Sequence, residues 1–166
     1  MKTGIGARVF RKEDARHLNG TSQFVGDIKM IHLWEAAYVR SPLAHARIKS
    51  ITKPTGYEDQ IFTICDMDGM KPIAAQSTLP TYNQSDHWPL ANEKVRFVGE
   101  CIAMCVAPTR AEAEDLAEAV IVDLEPLPVH VSIETALAPG AEKLHDEWAD
   151  NLFLTTEFDN DLTEAR

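Results

Sequence analysis

The chain carries six histidines, three cysteines and several serines, which are the side chains that most often bind metals or act as nucleophiles. Histidines bind zinc when they are closely spaced, as in H-E-x-x-H, and the six histidines here form no such pair. A nucleophilic serine is commonly marked by G-x-S-x-G, a pattern that surrounds none of Ser41, Ser77 and Ser132. The sequence therefore predicts neither a metal site nor a self-contained hydrolase.

The cysteines and the glycines also form no recognisable functional motif. Cys65, Cys101 and Cys105 are odd in number and lack C-x2-C spacing, so we predict reduced, buried thiols rather than disulfides or a metal centre. The pair Gly4 and Gly6 lacks the third glycine and the preceding strand of a phosphate-binding loop.

Charge is divided unevenly along the chain. The net charge is -10; residues 1–53 carry ten basic against four acidic side chains, and residues 54–166 carry six against twenty-two, which is +6 against -16. An acidic protein binds nucleic acid poorly, because phosphate binding needs a basic surface. The asymmetry has two interpretations, a basic amino-terminal part that docks on an acidic neighbour or merely an uneven solvated surface. The sequence also contains neither an apolar run of the roughly 20 residues that span a bilayer nor a signal-peptide core, which predicts a cytoplasmic protein.

Short strands are predicted in the first half of the chain. Residues 33–39 and 46–51 have the alternating, apolar character of strands separated by a turn at Ser41 and Pro42, and residues 61–65 are typical of a buried strand. Residues 66–93 are irregular and rich in proline, with Tyr82 and Trp88 either anchoring a partner or packing back on the same domain.

The second half of the chain contains the clearest sequence signal for a helix. Thr109 and Glu112 form a capping box that predicts a helix to residue 119, and Ala113, Leu116, Ala117 and Val120 form its apolar stripe. A strand at residues 120–124 and a short helix at residues 132–137 follow. The links around the first helix are too short for a parallel crossover, so we predict an α+β fold with a mixed, mainly antiparallel sheet and flanking helices. The expected division is an extended amino-terminal arm at 1–28, a domain at 29–141 and an acidic carboxy-terminal arm or linker at 142–166.

Four blocks along the chain, in the same order, resemble one known family. They are RVFRKEDARHLNGTSQFVGDI at 8–28, YVRSPLAHARIKSI at 38–51, WPLANEKVRFVGECIAMCVA at 88–107 and DLEPLPVHVSIETAL at 123–137. Together they are similar to the amino-terminal α/β hammerhead domain of the molybdenum hydroxylase large subunits, the group that includes xanthine dehydrogenase, aldehyde oxidase and carbon monoxide dehydrogenase. The resemblance implies the hammerhead fold.

The resemblance also implies a non-catalytic role. In that family the molybdopterin, the catalytic glutamate and most of the substrate pocket belong to longer segments after the hammerhead, and none of those motifs occurs in this chain. We therefore expect no cofactor on the isolated chain and no activity from it, with molybdopterin, iron-sulfur clusters and FAD held by partner subunits. The residues expected at the partner interface are Arg40, His45, Arg47, Tyr82, Trp88, Arg96, Gly99 and Glu100. Scaffolding within the domain is the alternative for each of them.

Three functional hypotheses follow. The first is a separate subunit or segment that packs on a molybdopterin-binding subunit of an oxidoreductase, which hydroxylates a substrate carbon with water. The second is an autonomous binding or assembly module with the same fold and no catalytic complex. The third is a small enzyme with a new site, for which the sequence supplies no constellation of residues.

Overall fold

The computed structural model describes residues 4–157. Contacts divide the chain into two compact units, Met1–Leu33 and Trp34–Arg166. The described part of the first unit contains helix α1, Asp14–Leu18, and a 3-10 turn at Val25–Asp27, whose Asp27 carboxylate accepts a hydrogen bond from the Phe24 backbone N–H at 2.9 Å. The predicted arm boundary at residue 28 thus lies close to the end of this unit and stays a prediction.

The second unit contains two three-stranded sheets and a short ribbon. The first sheet has the order β1, β7, β3, with β1 at Glu35–Arg40, β3 at Ile61–Phe62 and β7 at Cys101–Ala107. The second has the order β6, β2, β8, with β2 at Ala46–Thr52, β6 at Lys94–Val95 and β8 at Ile121–Pro126. Strands β4, Ile73–Ala74, and β5, Asp86–His87, form the ribbon. Every described strand pair is antiparallel.

Two apolar clusters hold these sheets together. In the first, helix α2, Arg110–Ala119, buries Ala113 and Leu116 against β7 residues that include Ala103 and Cys105. In the second, Ile102 of β7 packs with three residues around the other sheet, Ala46, Ala91 and Val95. Ile51 and Val122 contact both clusters, so the two sheets share one interior.

The capping box predicted at the start of α2 is present. The Thr109 hydroxyl accepts from the Glu112 N–H at 3.3 Å, and the Glu112 carboxylate accepts from the Thr109 N–H at 3.2 Å. The predicted apolar stripe is confirmed, since Ala113, Leu116 and Val120 are buried. The short helix α3, Ile133–Ala136, is confirmed as well, with Ser132 as its cap.

The Thr109 cap predicts a measurable stability effect. Replacing Thr109 with alanine should lower the free energy of unfolding by about 1 kcal/mol, because the Glu112 N–H loses its acceptor at the helix start. Urea unfolding followed by circular dichroism measures this. Thr156→Ala, at an exposed position outside any helix or strand, is the control. Equal stability of the two variants would contradict the assigned cap.

The strand predicted at 61–65 is shorter than expected. It ends at Phe62, and a 3-10 turn at Ile64–Asp66 follows because the Asp66 carboxylate accepts from both the N–H and the hydroxyl of Thr63, each at 2.7 Å. Cys65 lies on this turn and is exposed, so its predicted burial was wrong. Cys105 is buried as expected, and Cys101 is half-buried.

The same turn predicts a pH effect. Partial burial raises the pKa of Asp66, but the two Thr63 donors and the Lys53 ammonium outweigh burial and lower it to about 2. A lowered pKa contributes stability that is present above the unfolded value of about 3.9 and is lost as pH falls towards 2. Because the carboxylate is partly exposed, we expect about 1 kcal/mol. Acid titration of Asp66→Asn should show a shallower loss of stability between pH 4 and 2 than Asp68→Asn; identical curves would contradict the prediction.

Among the described residues, the helices are all too short or too polar for crossing a bilayer.

Candidate functional site

The structure places four of the eight predicted interface residues in two neighbouring clefts of the second unit. Trp88, Arg96 and Glu100 line a cleft of about 350 Å³, and His45 lines a second of about 370 Å³. Both clefts are also lined by Leu144 and His145, so they are neighbours. We name this surface the two-cleft face, the first cavity the tryptophan cleft and the second the histidine cleft.

The turn at residues 97–100, beside the tryptophan cleft, is held firmly. Gly99 has a φ of 87°, which favours glycine, and its N–H donates to the Ser41 carbonyl at 2.8 Å. Its carbonyl accepts from Arg40 Nη1 at 2.8 Å, and the Ser41 N–H donates to the Glu100 carbonyl at 2.9 Å. The Glu100 carboxylate in turn accepts from the Arg96 N–H.

This rigid turn carries two exposed apolar side chains. Phe97 is 50% exposed and Val98 is 64% exposed. Exposed apolar side chains on a fixed backbone can dock on a partner with little ordering cost. The turn therefore suits a contact with another polypeptide.

Residues 142–153 form the wall between the clefts. The described segment 142–157 has no helix or strand but packs on the unit: Lys94 Nζ pairs with Asp146 Oδ1 at 2.8 Å, Arg96 Nε donates to the Leu144 carbonyl at 3.3 Å, and Trp148 Nε1 donates to the Gln84 carbonyl at 2.8 Å. Residues 158–166 of the predicted acidic arm lie outside the described residues. The arm boundary at 142 stays a prediction.

Lys94, which holds this wall in place, is unusually buried for a lysine. Its side chain is only 2% exposed, and its ammonium is shared between Asp146 and the Lys143 carbonyl, the latter at 3.1 Å. Hydrogen bonding to Lys94 lowers the pKa of Asp146. The pair fixes the segment at 142–157 to β6.

The histidine cleft contains His45, His130 and His145. His45 is 5% exposed, and its Nδ1 lies 2.9 Å from the Pro128 carbonyl. The Nε2 atoms of His45 and His130 are buried and have no hydrogen-bond partner among the described residues. His145 stacks on Trp148 with ring centroids 4.2 Å apart, and burial, followed by the nearby Arg96 charge, lowers its pKa.

The other predicted interface residues have different surroundings. Arg40 and Gly99 belong to the turn beside the tryptophan cleft. Tyr82 is half-buried and packs edge-on against Phe153 at 5.0 Å, so it contacts its own unit. Arg47 lies exposed on β2, opposite Lys94 and Glu125, and lines neither cleft. The interface role of all eight residues stays a prediction.

Sequence reasoning missed Phe97, His130 and Trp148 as members of the face. The first lies in a quoted block, where its exposure on a glycine turn could have marked it. His130 lies in another quoted block and reaches the cleft with the segment after β8, where the Pro128 carbonyl bonds to His45. Trp148 joins the cleft only through the folding of residues 142–153.

Within residues 4–157, no group of three or more histidine, cysteine, aspartate or glutamate side chains is placed to hold a metal ion. Several side chains that line the clefts, among them Arg96, Trp148 and Asn151, bond to backbone carbonyls, which fixes the shape of the surface.

Comparison with known proteins supplies the family context. Residues 19–128 match the model of the "Aldehyde oxidase and xanthine dehydrogenase, a/b hammerhead domain" family. The chain is 36% identical over 150 residues to the carbon monoxide dehydrogenase large chain of Afipia carboxidovorans, covering 90% of this chain and 18% of that protein. It is 38% identical over 141 residues to the nicotine 6-hydroxylase large subunit of Paenarthrobacter nicotinovorans, covering 82% of this chain and 17% of that subunit.

A solved structure agrees with these relatives. The crystal structure of quinoline 2-oxidoreductase from Pseudomonas putida 86 superposes with a TM-score of 0.83 at 33% identity, covering 99% of this chain and 22% of that chain. The expected α+β hammerhead architecture is confirmed. This chain therefore spans about a fifth of the length of the proteins it resembles.

Proposed function

Because this chain belongs to the aldehyde oxidase and xanthine dehydrogenase a/b hammerhead family, we propose that it packs on a molybdopterin-binding polypeptide and completes an oxidoreductase with it. The chain corresponds to the hammerhead segment of large subunits such as those of carbon monoxide dehydrogenase. In the proposed assembly the reaction is hydroxylation of a substrate carbon with water, and this chain has a structural role.

The observation that carries the proposal is the two-cleft face. It combines exposed apolar side chains on the turn at residues 97–100 with two clefts whose walls are fixed by hydrogen bonds. A docking site that is already ordered loses little conformational entropy on association. Such a face is suited to a stable partner rather than to turnover of a small molecule.

The chemistry of the side chains supports placing the cofactors on the partner. Iron-sulfur clusters are held by cysteine thiolates, whereas Cys105 is buried among apolar residues and burial raises the pKa of its thiol. We propose that molybdopterin, iron-sulfur clusters and FAD belong to partner polypeptides. The cytoplasmic location and the three-part division of the chain remain proposals from the sequence.

A tagged chain purified gently from its native cells tests this function. Native mass spectrometry with metal analysis should find a large partner at fixed stoichiometry together with molybdenum and iron. A metal-free chain recovered alone under the same conditions would contradict the proposal and favour the autonomous module.

Phe97 provides a sharper version of the same experiment. Phe97→Asp should reduce recovery of molybdenum with the chain at least about tenfold, because docking would then desolvate a carboxylate without a partner. Ile121→Asp is the matched control, since Ile121 is exposed on β8 and lines neither cleft. If both variants retain wild-type molybdenum, the turn at residues 97–100 is not part of the interface.

A further inference from the structure

The histidine cleft contains hydrogen-bond acceptors that have no donor within residues 4–157. His45 Nδ1 lies at hydrogen-bonding distance from the Pro128 carbonyl, so in the neutral ring Nδ1 carries the proton and Nε2 is an acceptor. This Nε2 is buried without a donor among the described residues, as is that of His130. An unsatisfied buried polar atom costs roughly 1–3 kcal/mol. The cleft therefore contains acceptor capacity that the described chain does not use.

A carboxylate and aromatic rings complete the lining. Glu142 lines the same cleft, and its carboxylate makes no ion pair or hydrogen bond within residues 4–157. Trp148 and Phe153 line it as well, with ring centroids 6.0 Å apart. The Trp148 indole N–H and the Asn151 amide are already bonded to backbone carbonyls, so they are not available as donors.

Acceptors, a negative charge and aromatic faces together complement a cation that carries several donors on an apolar stem. Building on the proposed function, we propose that the histidine cleft receives an arginine side chain of the partner polypeptide. A guanidinium fits better than an ammonium, because it is planar, less strongly hydrated and stacks on aromatic rings. It would donate to Glu142 and to His45 Nε2 while its stem covers the apolar wall.

The overall charge of residues 54–166 favours a basic partner segment. Residues 54–166 carry a net charge of -16, which attracts positive charge at long range. The cations next to the cleft donate to other groups and not to Glu142: Lys94 pairs with Asp146, Lys143 Nζ bonds to the Asp146 and Trp148 carbonyls, and Arg96 donates to the Leu144 carbonyl. Because the Nε2 atoms are buried, side chains that line the cleft must shift to admit the guanidinium; Val129 and Leu144 line it and are exposed.

Titration of the full chain with N-acetyl-arginine amide tests the cleft directly. The indole N–H resonance of Trp148 and the ring resonances of His45 should shift saturably. N-acetyl-citrulline amide, which has the same shape without the charge, should bind at least about tenfold more weakly, as expected for losing a charge-assisted hydrogen bond. Absence of a saturable shift at these two residues, or equal binding of citrulline, would overturn the proposal.

A pair of variants extends the test to the assembly. Glu142→Gln should weaken arginine binding at least about tenfold and reduce recovery of molybdenum with the chain, whereas Glu118→Gln, at an exposed position of α2, should change neither. If Glu142→Gln recovers as much molybdenum as the wild-type chain, the arginine proposal is wrong and the proposed function is unaffected. If the wild-type chain recovers no molybdenum, the proposed function is contradicted. The arginine titration then shows independently whether the histidine cleft binds a guanidinium.

Discussion

Replacing Ile102 with alanine is expected to lower the free energy of unfolding by about 3 kcal/mol. Ile102 has no exposed surface and lies on β7, the central strand of the first sheet, where its side chain reaches the cluster around Ala46 and Val95. Removing three buried carbons costs the transfer free energy and leaves a cavity that the surrounding structure can fill only partly by moving inwards. Since a domain is stable by only about 5–15 kcal/mol, this is a large fraction of the total.

Urea unfolding monitored by tryptophan fluorescence and circular dichroism measures the effect of Ile102→Ala. Ile121→Ala is the control, because Ile121 is mostly exposed on β8 and should cost less than about 0.5 kcal/mol. A loss below about 1 kcal/mol for Ile102→Ala would show that the two sheets do not share the interior described above.

Asp146→Asn is expected to be much more destabilising than Lys94→Met. The amide oxygen can still accept a hydrogen bond, but it no longer neutralises a lysine ammonium that is almost fully buried, and leaving that charge uncompensated costs about 2–4 kcal/mol after allowance for the exposure of Asp146. Methionine fills the lysine position without a charge, and it leaves behind an aspartate that water already solvates. Lys94→Met should therefore cost less than about 1 kcal/mol.

The double variant distinguishes this mechanism from simple loss of a contact. Lys94→Met with Asp146→Asn should be no less stable than Asp146→Asn alone, because no buried ammonium then remains. Asp123→Asn is the control, because Asp123 is exposed on β8 and lies outside the Lys94–Asp146 pair. Denaturant titration of the set gives the coupling between the two sites; equal, additive losses would contradict a buried charge at Lys94.

Local signals in the sequence predicted the elements that depend on neighbouring residues. The Thr109 capping box and the stripe at Ala113, Leu116 and Val120 were sufficient for α2, because a cap and a 3.6-residue period are properties of a single segment. The predicted strand at 61–65 ends at Phe62 because the hydrogen bonds that Thr63 donates to the Asp66 carboxylate outweigh the apolar pattern.

Features that depend on distant residues were less accessible from the sequence. Strands β1 and β2 are neighbours in the chain but belong to different sheets, a result of pairing with β7 and β8. The burial of Lys94 depends on Asp146, which is 52 residues away, and lysine is ordinarily an exposed residue. The family resemblance drew attention to Arg96 and Glu100, and the proline-rich loop to Trp88, but the cleft that all three line became visible only in the fold.

Hydrogen–deuterium exchange of the chain, alone and in the molybdenum-containing assembly, tests the central claim most directly. The account predicts added protection at residues 97–100 and 142–153, the turn and the wall of the two-cleft face, with little change along β8. Protection confined to β8 or to α2, with the two-cleft face exchanging as it does in the isolated chain, would contradict the claim that this face carries the partner contact.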